Sequence, residues 1–226
     1  MAKKYCIIDL FTIMRIGIIA ALDREYEELC KLLGGRSEGR LGNNEIVLAH
    51  SGMGKVNSAI KAENLIASRQ LDAIVNSGVA GGLSDSLKSM DCIAATEVVY
   101  HDVWCGEGNE YGQVQGFPAR FKCDPHLLET ASSVPGIKTG LVTSGDYFIA
   151  TKEQGDAILK HFPEALAVDM ESGSIAQVCH LHGIPFLSLR IISDVAGENH
   201  QQEYDNFWSQ LADNSFAAIE SFLKLL

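Results

Sequence analysis

Short apolar runs recur along this chain, and turn-forming or polar residues separate them. Runs of this length predict buried β-strands, and their continuous apolar character indicates a sheet that is covered on both faces. The predicted strands are Ile16–Ala21, Ile46–Ala49, Asp72–Ser77, Cys92–Val99, Thr139–Thr143, Ala165–Val168 and Phe186–Ile192.

Helical spacing of apolar residues appears between some of these strands. One helix is predicted over 54–69, a second begins at the cap Thr151, and a third covers 171–182 before Gly183 and Pro185. The tail 204–226 is predicted as one long amphipathic helix. In the first helix the residues expected to face inward are Val56, Ile60, Leu65 and Ile66.

Strands and helices in this succession predict a three-layer α/β fold, with a central, mostly parallel or mixed β-sheet flanked by helices. We expect one domain over 14–226, preceded by an extended segment over 1–13. The stretch 102–121 is long, Gly-rich and aromatic, and an irregular loop of that length usually has a function.

The chain has 226 residues and a formal net charge of −11. This acidic balance would repel phosphate backbones, so neither nucleic acid nor an anionic membrane surface is an expected partner. No run of about 18 apolar residues occurs, so no membrane span is expected. The six cysteines form no Cys-x-x-Cys pair and the histidines lack metal-ligand spacing, so we expect reduced thiols, a cytoplasmic location and no metal.

Polar residues directly follow several apolar strands, at the sheet edge where α/β proteins bind their ligands. Carboxylates that share one cleft suit general acid and base catalysis, although each could instead cap a helix. The cluster Gly78–Gly82 could bind phosphate or let the backbone approach a flat ligand closely. The polar positions are Glu25, Ser144-Gly145-Asp146, Asp169-Met170-Glu171 and Ser193-Asp194.

Eight segments occur in the order found in one known enzyme family. They are IGIIAALDREYE, SGMGKVNSA, NSGVAGGL, YHDV, EYGQ, TSGDYFI, AVDMESGSIAQVC and RIISDVAG. Through them the chain resembles the 5′-methylthioadenosine/S-adenosylhomocysteine nucleosidases of the nucleoside phosphorylase superfamily. The resemblance implies a nucleoside phosphorylase-like fold, a homodimer and hydrolysis of the N-glycosidic bond of 5′-methylthioadenosine, S-adenosylhomocysteine and 5′-deoxyadenosine. It implies no cofactor, and it places the enzyme in methionine salvage.

The resemblance also assigns roles to individual residues. Asp194 matches the general acid that protonates N7 of adenine, Glu25 the carboxylate that activates water, and Glu171 the residue that binds the ribose hydroxyls. Phe148 would stack on the base, and Ile149 would read the adenine edge through its backbone. The remaining expected substrate-binding or supporting residues are Leu22, Met53, Ala80, Gly81, Met170, Arg190, Ser193 and Tyr204. Arg190 could equally be a salt-bridge partner.

The chain departs from the family pattern at the 5′ side of the expected substrate. Val79 stands where many relatives have Ser, Leu22 replaces a common Met, and Tyr204 replaces a usual Phe. The segment 102–111 is one residue short and carries Trp104 and Glu107. In the family the 102–121 region crosses the dimer interface and lines the partner's 5′ pocket, so these changes bear on substrate preference.

Three other functions remain open at this point. A nucleoside phosphorylase would need phosphate contacts after the first strand, where Asp23 and Glu25 surround Arg24 and disfavour a dianion. A hydrolase of futalosine-type nucleosides would keep the same carboxylates. An inactive binding protein on this scaffold would have no need to retain Glu25, Glu171 and Asp194.

Overall fold

A computed structural model describes residues 13–195, 204, 206, 207 and 216–226. The predicted extended segment 1–13 lies outside this part of the chain except for its last residue. Most of the predicted tail helix also lies outside it, and within its span Tyr204, Asn206, Phe207 and the last turns are helical.

The predicted strands are all present, most of them slightly longer than expected. The described strands are β1 Arg15–Ala20, β2 Glu38–Leu41, β3 Asn44–His50, β4 Ala73–Gly82, β5 Cys92–Tyr100, β6 Phe121–Lys122, β7 Ile137–Ser144, β8 Ala165–Asp169 and β9 Phe186–Val195. The short strands β2 and β6 were not predicted, because neither carries an apolar run.

The described helices are α1 Asp23–Leu32, α2 Lys55–Ser68, α3 Pro125–Ser133, α4 Lys152–Leu159, α5 Ser172–His182 and α6 Ala217–Leu225. Thr151 caps α4 and Gly183 ends α5 in the left-handed conformation, as expected. Helices α1 and α3 were not predicted. Asp124 and Pro125 are a usable start signal for α3, because Asp124 accepts the first free N–H groups and Pro125 tolerates the first helical position.

The strands form one mixed sheet in the order β2-β3-β1-β4-β8-β7-β5-β6. Strand β9 pairs in parallel with β4 and antiparallel with β5. Strands β4, β8, β7, β5 and β9 therefore form a closed circuit, while β1, β3 and β2 extend the sheet beyond it. The expected three-layer fold with a central mixed sheet is confirmed.

The glycine cluster Gly78–Gly82 is the second half of β4, so the predicted end of this strand at Ser77 was wrong. Along β4 and β9 the register shifts once, because Ala80 pairs with Ile192 and Gly81 with Asp194. Ser193 is therefore the extra residue of a β-bulge, a feature that commonly redirects side chains near functional sites.

Helix α2 faces the core differently from the expectation. Leu65 is buried and Ile66 is partly buried, but Val56 is 68% exposed and Ile60 is 56% exposed. The buried stripe instead consists of Ser58, Ala62 and Leu65, which share one side of the helix at helical spacing. Small residues let α2 approach α5, where Ser58 Oγ lies 2.6 Å from Ser174 Oγ.

Candidate active site

A cavity lies at the carboxyl ends of β1, β4, β8 and β9, and it contains about 610 Å³ of empty space including its open mouth. A concave site at the carboxyl ends of the strands is where small-molecule ligands commonly bind in α/β proteins. The expected site residues lie together around it except for Arg190. The lining consists of Ala21, Leu22, Glu25, Met53, Val79, Ala80, Gly81, Tyr147, Phe148, Ile149, Val168, Asp169, Met170, Glu171, Ser193, Asp194 and Tyr204.

Glu25 lies in the first turn of α1 and is almost fully buried. Its Oε2 accepts hydrogen bonds from the backbone N–H groups of Ala21 at 3.0 Å and Leu22 at 2.9 Å. Its Oε1 accepts the N–H of Val79 at 2.8 Å. Burial raises the pKa of Glu25, against the opposing effects of Arg190 and of these three N–H groups. The carboxylate is thus held in one place and prepared to accept a proton.

Val79 contributes to this site through its backbone rather than through a side-chain hydroxyl. Its N–H binds Glu25, and this contact does not depend on whether residue 79 is Val or Ser. The departure at Val79 therefore leaves the position of Glu25 intact, while its apolar side chain adds to the cavity wall.

Glu171 immediately precedes α5, and it also lines the cavity. Its Oε1 accepts the backbone N–H of Gly54 at 2.9 Å, which ties it to the start of α2. Burial raises the pKa of Glu171 to about 7, Arg190 opposes this rise, and Asp169 and Glu25 add to it. Near neutral pH this group can therefore exist with or without its proton.

Arg190 lies behind the cavity wall, and its side chain is fully buried. Its Nε lies 2.8 Å from Oδ2 of Asp169, and its Nη2 lies 3.8 Å from Oε2 of Glu171. Nη2 also donates to Ser172 Oγ at 3.1 Å and to the side-chain oxygen of Asn76. Arg190 does not line the cavity, so the expectation that it contacts a ligand directly is not met. It acts as the buried counter-charge of the carboxylates.

Asp169 is a member of the site whose role the sequence did not reveal. Besides its ion pair with Arg190, it accepts the backbone N–H groups of Glu171 at 3.2 Å and Ser172 at 3.1 Å, and a hydrogen bond from the Ser172 hydroxyl. In the sequence, only its position after an apolar strand indicated that Asp169 could belong to the site. That signal does not distinguish it from Asp146, which lies outside the cavity and caps α2 through the Lys55 N–H at 2.7 Å.

Asp194 reaches the cavity because of the bulge at Ser193. The Ser193 hydroxyl donates a hydrogen bond to Oδ1 of Asp194 at 2.6 Å, so one carboxylate oxygen is held by the protein. Gly81 lies beside this carboxylate, and a β-carbon at Gly81 would lie 3.9 Å from Oδ2. Asp194 itself belongs to the lining of the cavity.

Aromatic and apolar side chains form the mouth of the cavity. The ring of Phe148 meets the ring of Tyr204 edge to face, with centroids 6.0 Å apart at 81°. Phe148 is half exposed, Met53 is exposed, and Ile149 is buried beneath them. Tyr147, which the sequence did not single out, also lines this side. A flat, apolar ligand could stack between these groups.

The segment 102–121 lies away from the cavity of its own chain, since none of its residues lines it. Tyr111 stacks on His161 at 3.8 Å and donates its hydroxyl hydrogen to the backbone oxygen of His101 at 3.0 Å. Trp104, in contrast, is exposed. The segment is thus attached to the rest of the chain through side chains such as Tyr111 and Arg120, and it presents the ring of Trp104 outward.

The charge of the cavity favours a neutral or cationic ligand. Within the described part of the chain its lining includes the side chains of Glu25, Asp169, Glu171 and Asp194 but no Lys or Arg. The same part of the chain holds no group of three His, Cys, Asp or Glu residues suited to a metal ion, and none of its helices is long and apolar enough to cross a membrane.

Comparisons with known proteins agree with this geometry. The family model of the phosphorylase superfamily matches residues 15–224. A 5′-methylthioadenosine/S-adenosylhomocysteine nucleosidase of Chromohalobacter salexigens is 37% identical over 94% of this chain and 97% of its own length.

Solved structures show the same likeness. An S-adenosylhomocysteine nucleosidase of Streptococcus pyogenes, in complex with 5-methylthiotubericidin, has a TM-score of 0.89 and 34% identity, covering 96% of this chain and 99% of its own. A futalosine hydrolase mutant of Helicobacter pylori has a TM-score of 0.86 and 29% identity, covering 95% and 100%.

Proposed function

The chain belongs to the phosphorylase superfamily and, within it, to the 5′-methylthioadenosine/S-adenosylhomocysteine nucleosidases, and we propose that it hydrolyses the N-glycosidic bond of these two nucleosides. 5′-Deoxyadenosine is a further expected substrate. The products are adenine and the corresponding 5′-substituted ribose. The observation that carries the proposal is the meeting of Glu25, Glu171 and Asp194 around one cavity.

In the reaction, Asp194 gives its proton to N7 of the base while the bond between C1′ and N9 breaks and its electron pair passes to the purine. A neutral purine is a far better leaving group than its anion. Glu25 removes a proton from the attacking water, whose oxygen forms the new bond to C1′. The raised pKa of Glu25 suits this step, because a more basic carboxylate accepts the proton more readily.

Glu171 would bind the ribose hydroxyls, and its negative charge would stabilise the cationic character that develops on the sugar. Phe148 would stack on the purine, and the backbone at Ile149 would contact the edge of the base. Met53, Met170 and Tyr204 line the remainder of the cavity, where the sugar and its 5′ substituent would lie.

Hydrolysis is favoured over phosphorolysis by the charge of the cavity. Phosphate needs cationic groups or free N–H groups, whereas the N–H groups of Ala21, Leu22 and Val79 already bind Glu25. The test is to measure adenine release from 5′-methylthioadenosine with phosphate removed and with phosphate added. We expect equal rates and a free sugar as product. An obligatory need for phosphate, with a sugar phosphate as product, would overturn the proposal.

The similarity to a futalosine hydrolase makes a second substrate class worth testing. We expect 5′-methylthioadenosine and S-adenosylhomocysteine to be better substrates than a futalosine-type nucleoside in direct competition. The opposite preference would reassign the substrate while keeping the hydrolytic reaction.

A homodimer is supported by the exposed apolar surface next to the cavity. Met53, Val56 and Ile60 are exposed along one side of α2 and its leading turn, where a single chain gains nothing from apolar side chains. In the dimer that we propose, this stripe lies at the interface, and the partner's segment 102–121 completes the 5′ pocket near Leu22. The departures at Leu22, Trp104 and Tyr204 would then tune which 5′ substituent is accepted.

A cytoplasmic location and a role in methionine salvage complete the proposal. The five described cysteines are free thiols, which suits a reducing compartment. The sugar released from 5′-methylthioadenosine keeps the sulfur, which amino-acid biosynthesis can recover from it.

A further inference from the structure

Asp102, in the motif YHDV, takes no part in the chemistry described above, and its side chain does not line the cavity. It lies two residues after the end of β5, and about 25% of its side chain is exposed. One oxygen, Oδ2, accepts both the backbone N–H of Asp146 and a hydrogen of Lys55 Nζ, each at 2.8 Å. Asp102 thus joins the segment after β7 to the start of α2.

Asp146 in turn binds Lys55. Its Oδ1 accepts the backbone N–H of Lys55 at 2.7 Å. Lys55 Nζ also lies 5.3 Å from the centre of the Tyr100 ring, which favours its charged form there. We call Asp102, Lys55 and Asp146 the Asp102 junction. Loss of the Asp102 carboxylate removes two of the three contacts of the junction and leaves only the hydrogen bond from the Lys55 N–H to Asp146.

Two glycines make room for the Asp102 junction. A β-carbon on Gly145 would lie 2.8 Å from Cγ of Asp102 and 2.6 Å from Nε2 of His101. Gly54 has φ of +89°, and a β-carbon on it would lie 2.9 Å from Oδ1 of Asp146. Neither position accepts another residue without displacing the junction, so the local backbone is shaped around it.

The junction anchors the loop that carries Phe148 and Ile149. Packing holds this loop mainly through Ile149, which is buried, because Tyr147 and Phe148 are half exposed. Its second anchor is Gln154, whose Oε1 accepts the N–H groups of residues 150 and 151 at 2.7 and 3.0 Å. The loop is therefore held at its two ends, by Asp102 and by Gln154.

The same junction adjoins the contact between α2 and Glu171. Gly54, whose N–H binds Glu171, immediately precedes Lys55. This contact remains when Asp102 is removed, because the Glu171 carboxylate provides it. At the start of the base-binding loop, Asp102 is the acceptor of the Asp146 N–H, so removing its carboxylate takes this hydrogen bond away from the loop.

We propose that Asp102 is a positioning residue for purine recognition, which holds the loop of Phe148 and Ile149 against the base through Asp146 and Lys55. This inference rests on the proposed function. A contact that binds substrate and transition state equally affects KM and leaves kcat unchanged. Removing Asp102 should therefore raise KM about tenfold or more while kcat changes by less than about threefold, because Asp194, Glu25 and Glu171 keep their own contacts.

The experiment compares Asp102→Ala, Asp102→Asn and Lys55→Met with the unaltered protein. The steady-state kinetics of 5′-methylthioadenosine and its 6-oxo analogue are measured, together with adenine binding by calorimetry. Asn can still accept the Asp146 N–H but cannot neutralise Lys55, so we expect Asp102→Asn to recover part of the affinity. Lys138→Met is the matched control, since Lys138 forms an ion pair of the same 2.8 Å length with Asp91 away from the cavity.

We expect Asp102→Ala to weaken adenine binding and to reduce the preference for the 6-amino over the 6-oxo base, with Lys138→Met unchanged. Mere loss of folded protein would lower kcat at constant KM, and that outcome would overturn the inference. Unchanged KM and adenine affinity would overturn it as well. If Asp102→Ala does not fold, the KM and adenine affinity of Asp102→Asn and Lys55→Met test the inference in the same way. Failure of the unaltered protein to release adenine would instead overturn the proposed function.

Discussion

A β-carbon at position 78 would lie 2.6 Å from Oε1 of Glu25, so Gly78 leaves the space that this carboxylate occupies. The same carbon would lie 2.8 Å from Nη1 of Arg190. Contacts this short are not found at real β-carbons, and both neighbours are buried with little room to move. The glycine in β4 therefore sets the distance between the strand backbone and the proposed base.

Gly78→Ala tests this relationship. We expect kcat for 5′-methylthioadenosine to fall at least about tenfold. A displaced Glu25 would lose its N–H partners and would no longer be oriented towards the attacking water. Gly39→Ala in β2 is the control, since its β-carbon would meet nothing closer than 3.5 Å. Turnover of Gly78→Ala at the normal rate would show that Glu25 can shift without consequence.

Asp194→Asn tests the proposed acid. The amide keeps the shape of the side chain but has no proton of suitable acidity to give to N7. We expect kcat to fall at least about 10²-fold, the usual contribution of a positioned acid, with substrate affinity largely kept. Kinetics and calorimetry on this variant, beside the exposed Asp85→Asn, provide the measurement. Near-normal turnover would remove Asp194 from the acid role.

Glu171→Gln tests the cost of burying a carboxylate. Burial raises the pKa of Glu171 from 4.5 to about 7, so the folded protein holds this proton more tightly than the unfolded chain does. Protonated Glu171 therefore stabilises the folded state by its full amount below pH 4.5, and this stabilisation is lost as the pH rises towards 7. The variant should gain on the order of 1–3 kcal/mol relative to the unaltered protein between pH 4.5 and 8.

Urea unfolding at pH 4.5 and pH 8 measures this difference, and activity should fall in the same variant. A stability difference that is equal at the two pH values would contradict the argument. Such a result would mean that Arg190 compensates the Glu171 charge fully in the folded state.

Val56→Asp combined with Ile60→Asp tests the proposed dimer. A charged side chain at each position would have to be buried without a partner, so we expect a monomer in sedimentation experiments and a loss of activity. Leu225→Asp is the control, because Leu225 is an equally exposed apolar residue on α6. A double variant that still sediments as a dimer would place the interface elsewhere.

Local patterns predicted most elements because the signals for them are local. The run over 186–192 became β9, and the cap at Thr151 became the start of α4. Which side of α2 faces the sheet was not predictable in this way, because Val56 and Ile60 are apolar residue types that are usually buried. Which side of a helix meets the sheet depends on where small residues permit close approach, as Ser58 and Ala62 do here.

The local sequence pattern also could not show which of two similarly placed carboxylates belongs to the site. Asp146 and Asp169 both follow apolar strands, yet the first caps a helix and the second pairs with buried Arg190. The glycines of β4 illustrate the same limit. Their sequence is that of a turn, but pairing with β8 and β9 extends the strand through them.

By itself the sequence determined the order of the longer strands and of several helices, the sheet edge at which carboxylates gather and, through its motifs, the family. Only the tertiary structure decided which of these carboxylates share one cavity and in what environment. Residues 25, 171 and 194 are distant along the chain. They come together because β1, β8 and β9, which precede or carry them, all pair with β4. Those long-range contacts bury both carboxyl groups, which raises the pKa of Glu25 and Glu171, and they place Arg190 nearby, whose charge opposes the rise.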